Sequence, residues 1–78
     1  MERPLIYADF NNADAGGRLR LNCIGTTQDL ARLGVRLEEG LEVTLHDEEV
    51  QADGKVQYSD EERIWVANVD WRAIRQTV

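Results

Sequence analysis

Side chains that commonly carry catalysis are scarce in this chain. Its one cysteine, Cys23, and its one histidine, His46, are the only thiol–imidazole pair available for nucleophilic catalysis. Cys23 falls on the apolar side of one alternating segment and His46 on the polar side of another, so we expect them on opposite sides of a sheet. Asp47, Glu48 and Glu49 supply carboxylates, but adjacent exposed acids lack the burial that an acid–base pair needs. The sequence therefore predicts a protein that is not an enzyme.

An acidic segment has the spacing of a calcium-binding loop. Residues 49–60 place side-chain oxygens at loop positions 1, 3, 5, 9 and 12, with Gly54 at position 6. Such a loop joins two helices, whereas the flanking residues alternate as strands do. We therefore expect an exposed hairpin loop that turns at Asp53-Gly54. One histidine and one cysteine are too few for a zinc site, so no metal or cofactor is expected.

The acidic residues are concentrated in the second half of the chain. Residues 1–37 carry a net charge of +1 and residues 38–78 a net charge of -7, within a total of -6. Acidic charge keeps a small protein soluble, or it forms a docking face for a basic partner. Tryptophan is the residue type most enriched at binding hot spots. We expect a non-catalytic adaptor module whose protein partner is bound by two aromatic and four acidic side chains: Trp65, Tyr58, Glu48, Glu49, Glu61 and Glu62.

Two other functions compete with this interpretation. The first is an acidic inhibitor that mimics nucleic acid, although its carboxylates would need a longer and more regular spacing than two loops provide. The second is a small barrel that binds nucleic acid through Tyr7, Arg18 and Arg20, because such barrels use aromatic and basic side chains. The net charge of -6 disfavours phosphate binding, and pairing with cross-strand acids accounts for both arginines.

Alternating apolar and polar residues indicate the strands that would position these side chains. The last strand has apolar residues on both faces, Ile64 and Val66 on one and Trp65 on the other, which is typical of a covered strand. The first two strands, joined by a loop that ends in Gly16-Gly17, are expected to form a hairpin. The predicted strands are 5–10, 18–23, 41–46, 55–59 and 63–69.

Two short helical segments complete the prediction. Thr26, followed three residues later by Asp29, is typical of a helix N-cap, and Gly34 is placed to end that helix. Asp70 is expected to cap a second helix over residues 71–76. Trp71 would then cover one end of the sheet. Trp65 would either pack beneath it, the favoured arrangement because aromatic side chains dominate small cores, or lie in an open groove where a partner could bind it.

The 78 residues fit one domain, 1–78, with 42% hydrophobic and 31% charged residues. A single cysteine excludes an internal disulfide, and no stretch approaches the ~18 apolar residues of a membrane span. No signal-peptide pattern opens the chain, so a cytoplasmic protein with no membrane partner is expected. A partly open barrel leaves a strand edge, so we expect a monomer or a weak homodimer.

The predicted fold class is all-β, a small five-stranded, partly open barrel, and its segments resemble SH3-like domains. Residues 5–10, Leu-Ile-Tyr-Ala-Asp-Phe, resemble the ALYDF opening of that family, and residues 39–43 resemble its next strand start. Gly54-Lys55-Val56 and Ile64-Trp65-Val66-Ala67 resemble its later hairpin. The Pro and Tyr that line the polyproline groove are missing after residue 67, so the resemblance does not imply proline-peptide binding. It implies a barrel of the bacterial SH3-like or KOW-like kind, whose functions vary.

Overall fold

The computed structural model describes residues 3–76 as a curled sheet with one α-helix and one 3₁₀ turn. The prediction of a small, mainly β, half-barrel protein is confirmed. No helix within the described residues is long and apolar enough to cross a membrane. In chain order the elements are β1 (Leu5–Tyr7), β2 (Leu19–Arg20), α1 (Ile24–Leu33), β3 (Glu42–His46), β4 (Val50–Ser59), β5 (Ile64–Val69), the 3₁₀ helix (Trp71–Ala73) and β6 (Arg75–Gln76).

Five strands follow the order β1-β3-β4-β5-β2, and β6 pairs with the start of β4. β1 is parallel to β3, with Leu5 opposite Thr44 and Tyr7 opposite His46, and every other pairing is antiparallel. The predicted hairpin of the first two strands is therefore wrong, because β1 and β2 lie at opposite ends of this order. Parallel strands need a crossover connection, and α1 lies within the connection from β1 to β3.

One face of the sheet forms the core, as the alternation predicts. Val66 is also fully buried but lies on the opposite face, outside the main cluster, next to Arg20 of β2. The prediction of apolar residues on both faces of β5 is thus confirmed. The buried residues of the main cluster are Ile6, Ala8, Leu19, Leu21, Val43, Leu45, Ala52, Val56, Ala67 and Val69.

β4 is one continuous strand of ten residues, so the predicted turn at Asp53-Gly54 is wrong. Its first half pairs with β3 and its second half with β5, and Gly54 takes part in both pairings. A Cβ at Gly54 would lie 2.9 Å from Val69 Cγ1 and 3.2 Å from the Asn68 carbonyl oxygen. Glycine is therefore required here by close packing, not by a turn. The acidic loop shrinks to residues 47–49, closed by Asp47.

α1 begins three residues before the predicted start, which a cap at Thr26 would place at Thr27. Its N-cap is Cys23, without a side-chain cap, and the hydroxyl of Thr26 instead donates to the Tyr7 carbonyl at 2.6 Å. Thr26 is thus diverted from capping because a strand edge lies beside the helix. The end of the helix is as predicted, since Gly34 adopts a left-handed conformation and its N–H donates to the Ala31 carbonyl.

The C-terminal segment contains the predicted cap but a shorter helix. Asp70 accepts a hydrogen bond from the Arg72 N–H at 3.0 Å, and one 3₁₀ turn follows. The chain then extends as β6 along the start of β4, instead of continuing as a helix to residue 76. Trp71 covers the loop of residues 14–17, since its indole N–H donates to the Gly17 carbonyl at 2.7 Å.

Candidate functional site

Tyr58 and Trp65, predicted separately as binding residues, form a pair. They lie opposite each other on β4 and β5, with ring centroids 5.1 Å apart and ring planes at 77°. The edge-to-face arrangement is a preferred geometry for aromatic rings. Tyr58 is 39% exposed, whereas Trp65 is half-buried and packs against the core.

The position of this pair follows from the strand alternation. Val56 and Ala67 are cross-strand partners on the core face, and the next residues on that face are Tyr58 and Trp65. The pair therefore continues the core towards the end of the sheet where β4 and β5 are joined. Glu39 fixes the same end, because its carboxylate accepts the Tyr58 backbone N–H at 2.9 Å.

The turn of residues 60–63 adds carboxylates next to this pair. Its closing residue, Arg63, has a φ of 60° and donates its N–H to the Ser59 carbonyl at 2.7 Å. Asp60 and Glu61 are exposed, and no basic side chain within residues 3–76 forms an ion pair with either. We call Tyr58, Trp65 and residues 60–63 the aromatic end of the sheet.

Glu62 of the same turn is bound within the protein. Arg20 Nε lies 2.8 Å from Glu62 Oε1 and Arg20 Nη2 lies 2.7 Å from Glu62 Oε2, a bidentate ion pair. The hydrogen bonds from Arg20 lower the pKa of Glu62, and those same bonds raise the pKa of Arg20. The pair fixes β2 to the turn and leaves Glu62 less available to a partner than Glu61.

The other two predicted acids lie elsewhere. Glu48 and Glu49 belong to the turn before β4, whereas the aromatic end follows β4. Ten strand residues at about 3.3 Å each separate the two turns by up to about 30 Å. Glu48 also accepts a hydrogen bond from the Tyr7 hydroxyl at 3.4 Å. The structure thus brings Tyr58 and Trp65 together, with Glu61 in the adjoining turn, and places Glu48 and Glu49 apart from them.

The two tryptophans do not pack as predicted. Trp65 contacts Tyr58, while Trp71 contacts Phe10 edge-on, with ring centroids 6.1 Å apart. The expectation that Trp65 packs beneath Trp71 assumed a longer C-terminal helix lying over β5. Because that helix is one turn long, Trp71 instead lies over the loop containing Gly17 and remains 43% exposed.

The side chains of the nucleic-acid alternative are each engaged within the protein. Arg18 binds Asp14 at 3.0 Å, and backbone and side-chain hydrogen bonds from Arg18 lower the pKa of that carboxyl. Arg20 binds Glu62, as described, and also Asn12. Tyr7 lies on β1, at the other end of the sheet order, and burial together with Glu48 raises its pKa.

A polar cluster around Tyr7 was not predicted. Asp29 of α1 accepts the Tyr7 backbone N–H at 2.8 Å and lies 3.8 Å from His46 Nε2. The hydrogen bond from Tyr7, aided by Arg32, lowers the pKa of Asp29. His46 packs edge-on against the Tyr7 ring, and Cys23 Sγ lies 3.0 Å from the Thr26 hydroxyl. The spacing of Asp29 after Thr26 was assigned to helix capping, so the sequence offered no signal for this cluster.

Metal-ligand groupings and known relatives add no further site. Within residues 3–76, no three His, Cys, Asp or Glu side chains are grouped so that they could hold a metal ion. Comparison of the chain with protein families, with curated proteins and with solved structures finds no match. The geometry of the side chains is therefore the basis for a functional proposal.

Proposed function

We propose that this chain is a small, acidic, non-catalytic interaction module that binds a protein partner at the aromatic end of its sheet. The observation that carries the proposal is the partly exposed Tyr58–Trp65 pair, joined to a turn whose Asp60 and Glu61 form no ion pair with a basic side chain of residues 3–76. A rigid aromatic anchor bordered by polar groups is the usual arrangement of a binding hot spot.

The charges indicate the chemistry of the partner. Asp60 and Glu61 contribute negative charge to this end of the sheet, and Glu39 lies against the Tyr58 backbone. A basic segment with an apolar or aromatic residue would complement both the rings and the carboxylates. Lysine and arginine are also attracted to aromatic faces when they approach within about 6 Å of the ring centroid.

Both alternatives have less support. A nucleic-acid mimic needs free carboxylates in a long array, whereas within residues 3–76 five acids lie within 4.0 Å of an arginine. A nucleic-acid-binding barrel needs free arginines, but Arg18 and Arg20 are already paired with acids. The five arginine-bound acids are Asp14, Asp29, Glu42, Asp53 and Glu62.

An SH3-like assignment and a cytoplasmic, bacterial setting are part of the proposal. The curled half-barrel with a 3₁₀ turn after β5 supports the SH3-like assignment. The parallel pairing of β1 with β3 and the α1 insertion would make this a distant variant. The net charge of -6 favours solubility, which a cytoplasmic setting requires.

The test is capture of a partner by the tagged protein from lysate of its source cells, with and without nuclease. Tyr58→Ser and Glu61→Gln should each reduce capture, and the loss for Glu61→Gln should shrink at high salt. Leu33→Ser and Glu49→Gln are matched controls, since they remove an exposed apolar group near the end of α1 and an exposed carboxylate in the turn before β4, both outside the aromatic end.

Three results would contradict the proposal. Equal losses for Glu61→Gln and Glu49→Gln would show that capture depends on general charge. Material lost on nuclease treatment would favour nucleic-acid binding. Displacement of the partner by DNA would favour the mimic.

A further inference from the structure

β1 is an edge strand whose outer side is covered by α1. The Pro4 carbonyl accepts the Thr44 N–H, and the Ala8 N–H donates to the His46 carbonyl, both at 2.9 Å. In a parallel pair these bonds direct the N–H and C=O of the intervening odd residues, Leu5 and Tyr7, away from β3. The outer groups of β1 are thus available to whatever lies beside it.

Two side chains of α1 occupy the outer groups of Tyr7. Asp29 accepts the Tyr7 N–H at 2.8 Å, and the Thr26 hydroxyl donates to the Tyr7 carbonyl at 2.6 Å. One acceptor and one donor therefore act on Tyr7 as a neighbouring strand would. We call Thr26 and Asp29 the edge latch.

The latch holds a weakly anchored helix. α1 has ten residues, fewer than the ~12 that an isolated helix needs, and its only buried residue is Thr26. Leu30 packs against the core, but Ile24 is 77% exposed and Leu33 is 41% exposed, so much of the helix's apolar surface is uncovered. Elements with few buried apolar contacts open locally at low cost. Opening of α1 would uncover the outer edge of β1.

The sequence of this edge is complementary to itself. In an antiparallel pair centred on Ile6, Leu5 of one copy lies opposite Tyr7 of the other, and Arg3 lies opposite Asp9. The odd residues then form the hydrogen-bonded pairs, as their outward groups require. The Leu5–Tyr7 pairs set an aliphatic side chain against an aromatic ring, and the Arg3–Asp9 pairs set an arginine against a carboxylate. Both combinations stabilise antiparallel sheets.

We propose that the edge of β1 beneath α1 is a self-association surface whose occupant is β1 of a second copy. The latch keeps the protein mostly monomeric by satisfying Tyr7 within the chain. Arg3 can change partners cheaply, because its bond to Glu42 joins two side chains that are about half exposed. Displacement of α1 would join two sheets into one across a two-fold axis.

The first test opens the latch by mutation. In Thr26→Val/Asp29→Ala, both partners of Tyr7 are removed, and sedimentation velocity should show a dimer dissociation constant lower by about tenfold or more than that of the unmodified protein. Hydrogen exchange in the dimer should slow at the amides of Leu5 and Tyr7. A folded double variant that stays monomeric over the same concentrations would overturn the proposal.

The second test examines the register of the two strands by reversing charges. In the Thr26→Val/Asp29→Ala variant, Asp9→Arg should abolish the dimer, because Arg3 of one copy would then face an arginine of the other. Combining Arg3→Asp with Asp9→Arg should restore the dimer. A dimer indifferent to Asp9→Arg would be using another surface, such as the exposed Ile24. If Thr26→Val/Asp29→Ala does not fold, Thr26→Val alone, a change that preserves the shape of the side chain, replaces it. Thr26→Val should also strengthen dimerisation, and no difference from the unmodified protein would refute the proposal.

Discussion

Replacing Gly54 by alanine tests the close packing of β4 against β5. The added Cβ would lie 2.9 Å from Val69 Cγ1 and 3.2 Å from the Asn68 carbonyl, and Leu45 Cδ1 lies 3.5 Å away on the other side. The Asn68 contact is backbone in a paired strand, so it cannot rotate away, and β4 or β5 must shift. Overpacking of a well-packed core costs about 1–3 kcal/mol.

A second effect acts in the opposite direction. Alanine restricts the unfolded chain, which stabilises a protein by about 0.4–1 kcal/mol where the native backbone tolerates it. The net loss expected for Gly54→Ala is therefore about 1–2 kcal/mol in the free energy of unfolding. For a domain of this size that corresponds to a melting temperature lower by roughly 5–15 °C.

Gly16→Ala is the matched control, measured by urea unfolding under the same conditions. A Cβ at Gly16 would meet its nearest neighbours at 3.5 and 3.8 Å, an ordinary contact distance, so this variant should be as stable as the unmodified protein or slightly more stable. The reasoning fails if Gly54→Ala retains full stability. It also fails if both variants lose stability equally, because crowding against β5 would then not be the cause.

Three further changes probe the contacts that surround the site. The pKa of Asp29 is lowered in the folded state, so the charged carboxylate stabilises the fold at neutral pH and this stabilisation is lost below about pH 4. Asp29→Asn should therefore have a lower free energy of unfolding than the unmodified protein at pH 7. In urea titrations this difference should shrink on acidification. A double-mutant cycle of Arg20→Met and Glu62→Gln should give a favourable coupling that falls in high salt, and a coupling unchanged by salt would contradict an ion pair. Trp71→Phe keeps an aromatic ring but loses the indole N–H that binds Gly17 and part of the ring's contact area, so it should cost at least about 0.5–1.5 kcal/mol. Unchanged stability would mean that this hydrogen bond adds nothing.

Local patterns predicted the features that depend on near neighbours in sequence. The strands around residues 41–46 and 63–69, the end of α1 at Gly34 and the cap at Asp70 are all present. Asp53-Gly54 misled the prediction because this dipeptide is a frequent turn, whereas its conformation here is set by Asn68 and Val69. Pairing with residues fifteen positions away is invisible to a local pattern.

The sequence predicted the individual residues of the candidate site but not their arrangement in space. Tyr58 and Trp65 were selected for their chemistry, and only the strand register shows that they face each other. Glu62 was placed among the free acids because its partner, Arg20, lies 42 positions earlier in the chain. Charge counts sum over the surface, so they do not distinguish a carboxylate held by arginine from one that is free.

This distinction changes what the acidic half of the chain can do. Charge is screened over about 8 Å at physiological ionic strength, and the turns at the two ends of β4 are up to about 30 Å apart. To a bound partner they are therefore separate patches, although both contribute to its attraction from a distance. Glu61 lies in the turn adjoining the Tyr58–Trp65 pair, whereas Glu49 lies at the far turn. In the proposed complex, the net charge would therefore set how fast a basic partner arrives, and the aromatic end would set where it binds.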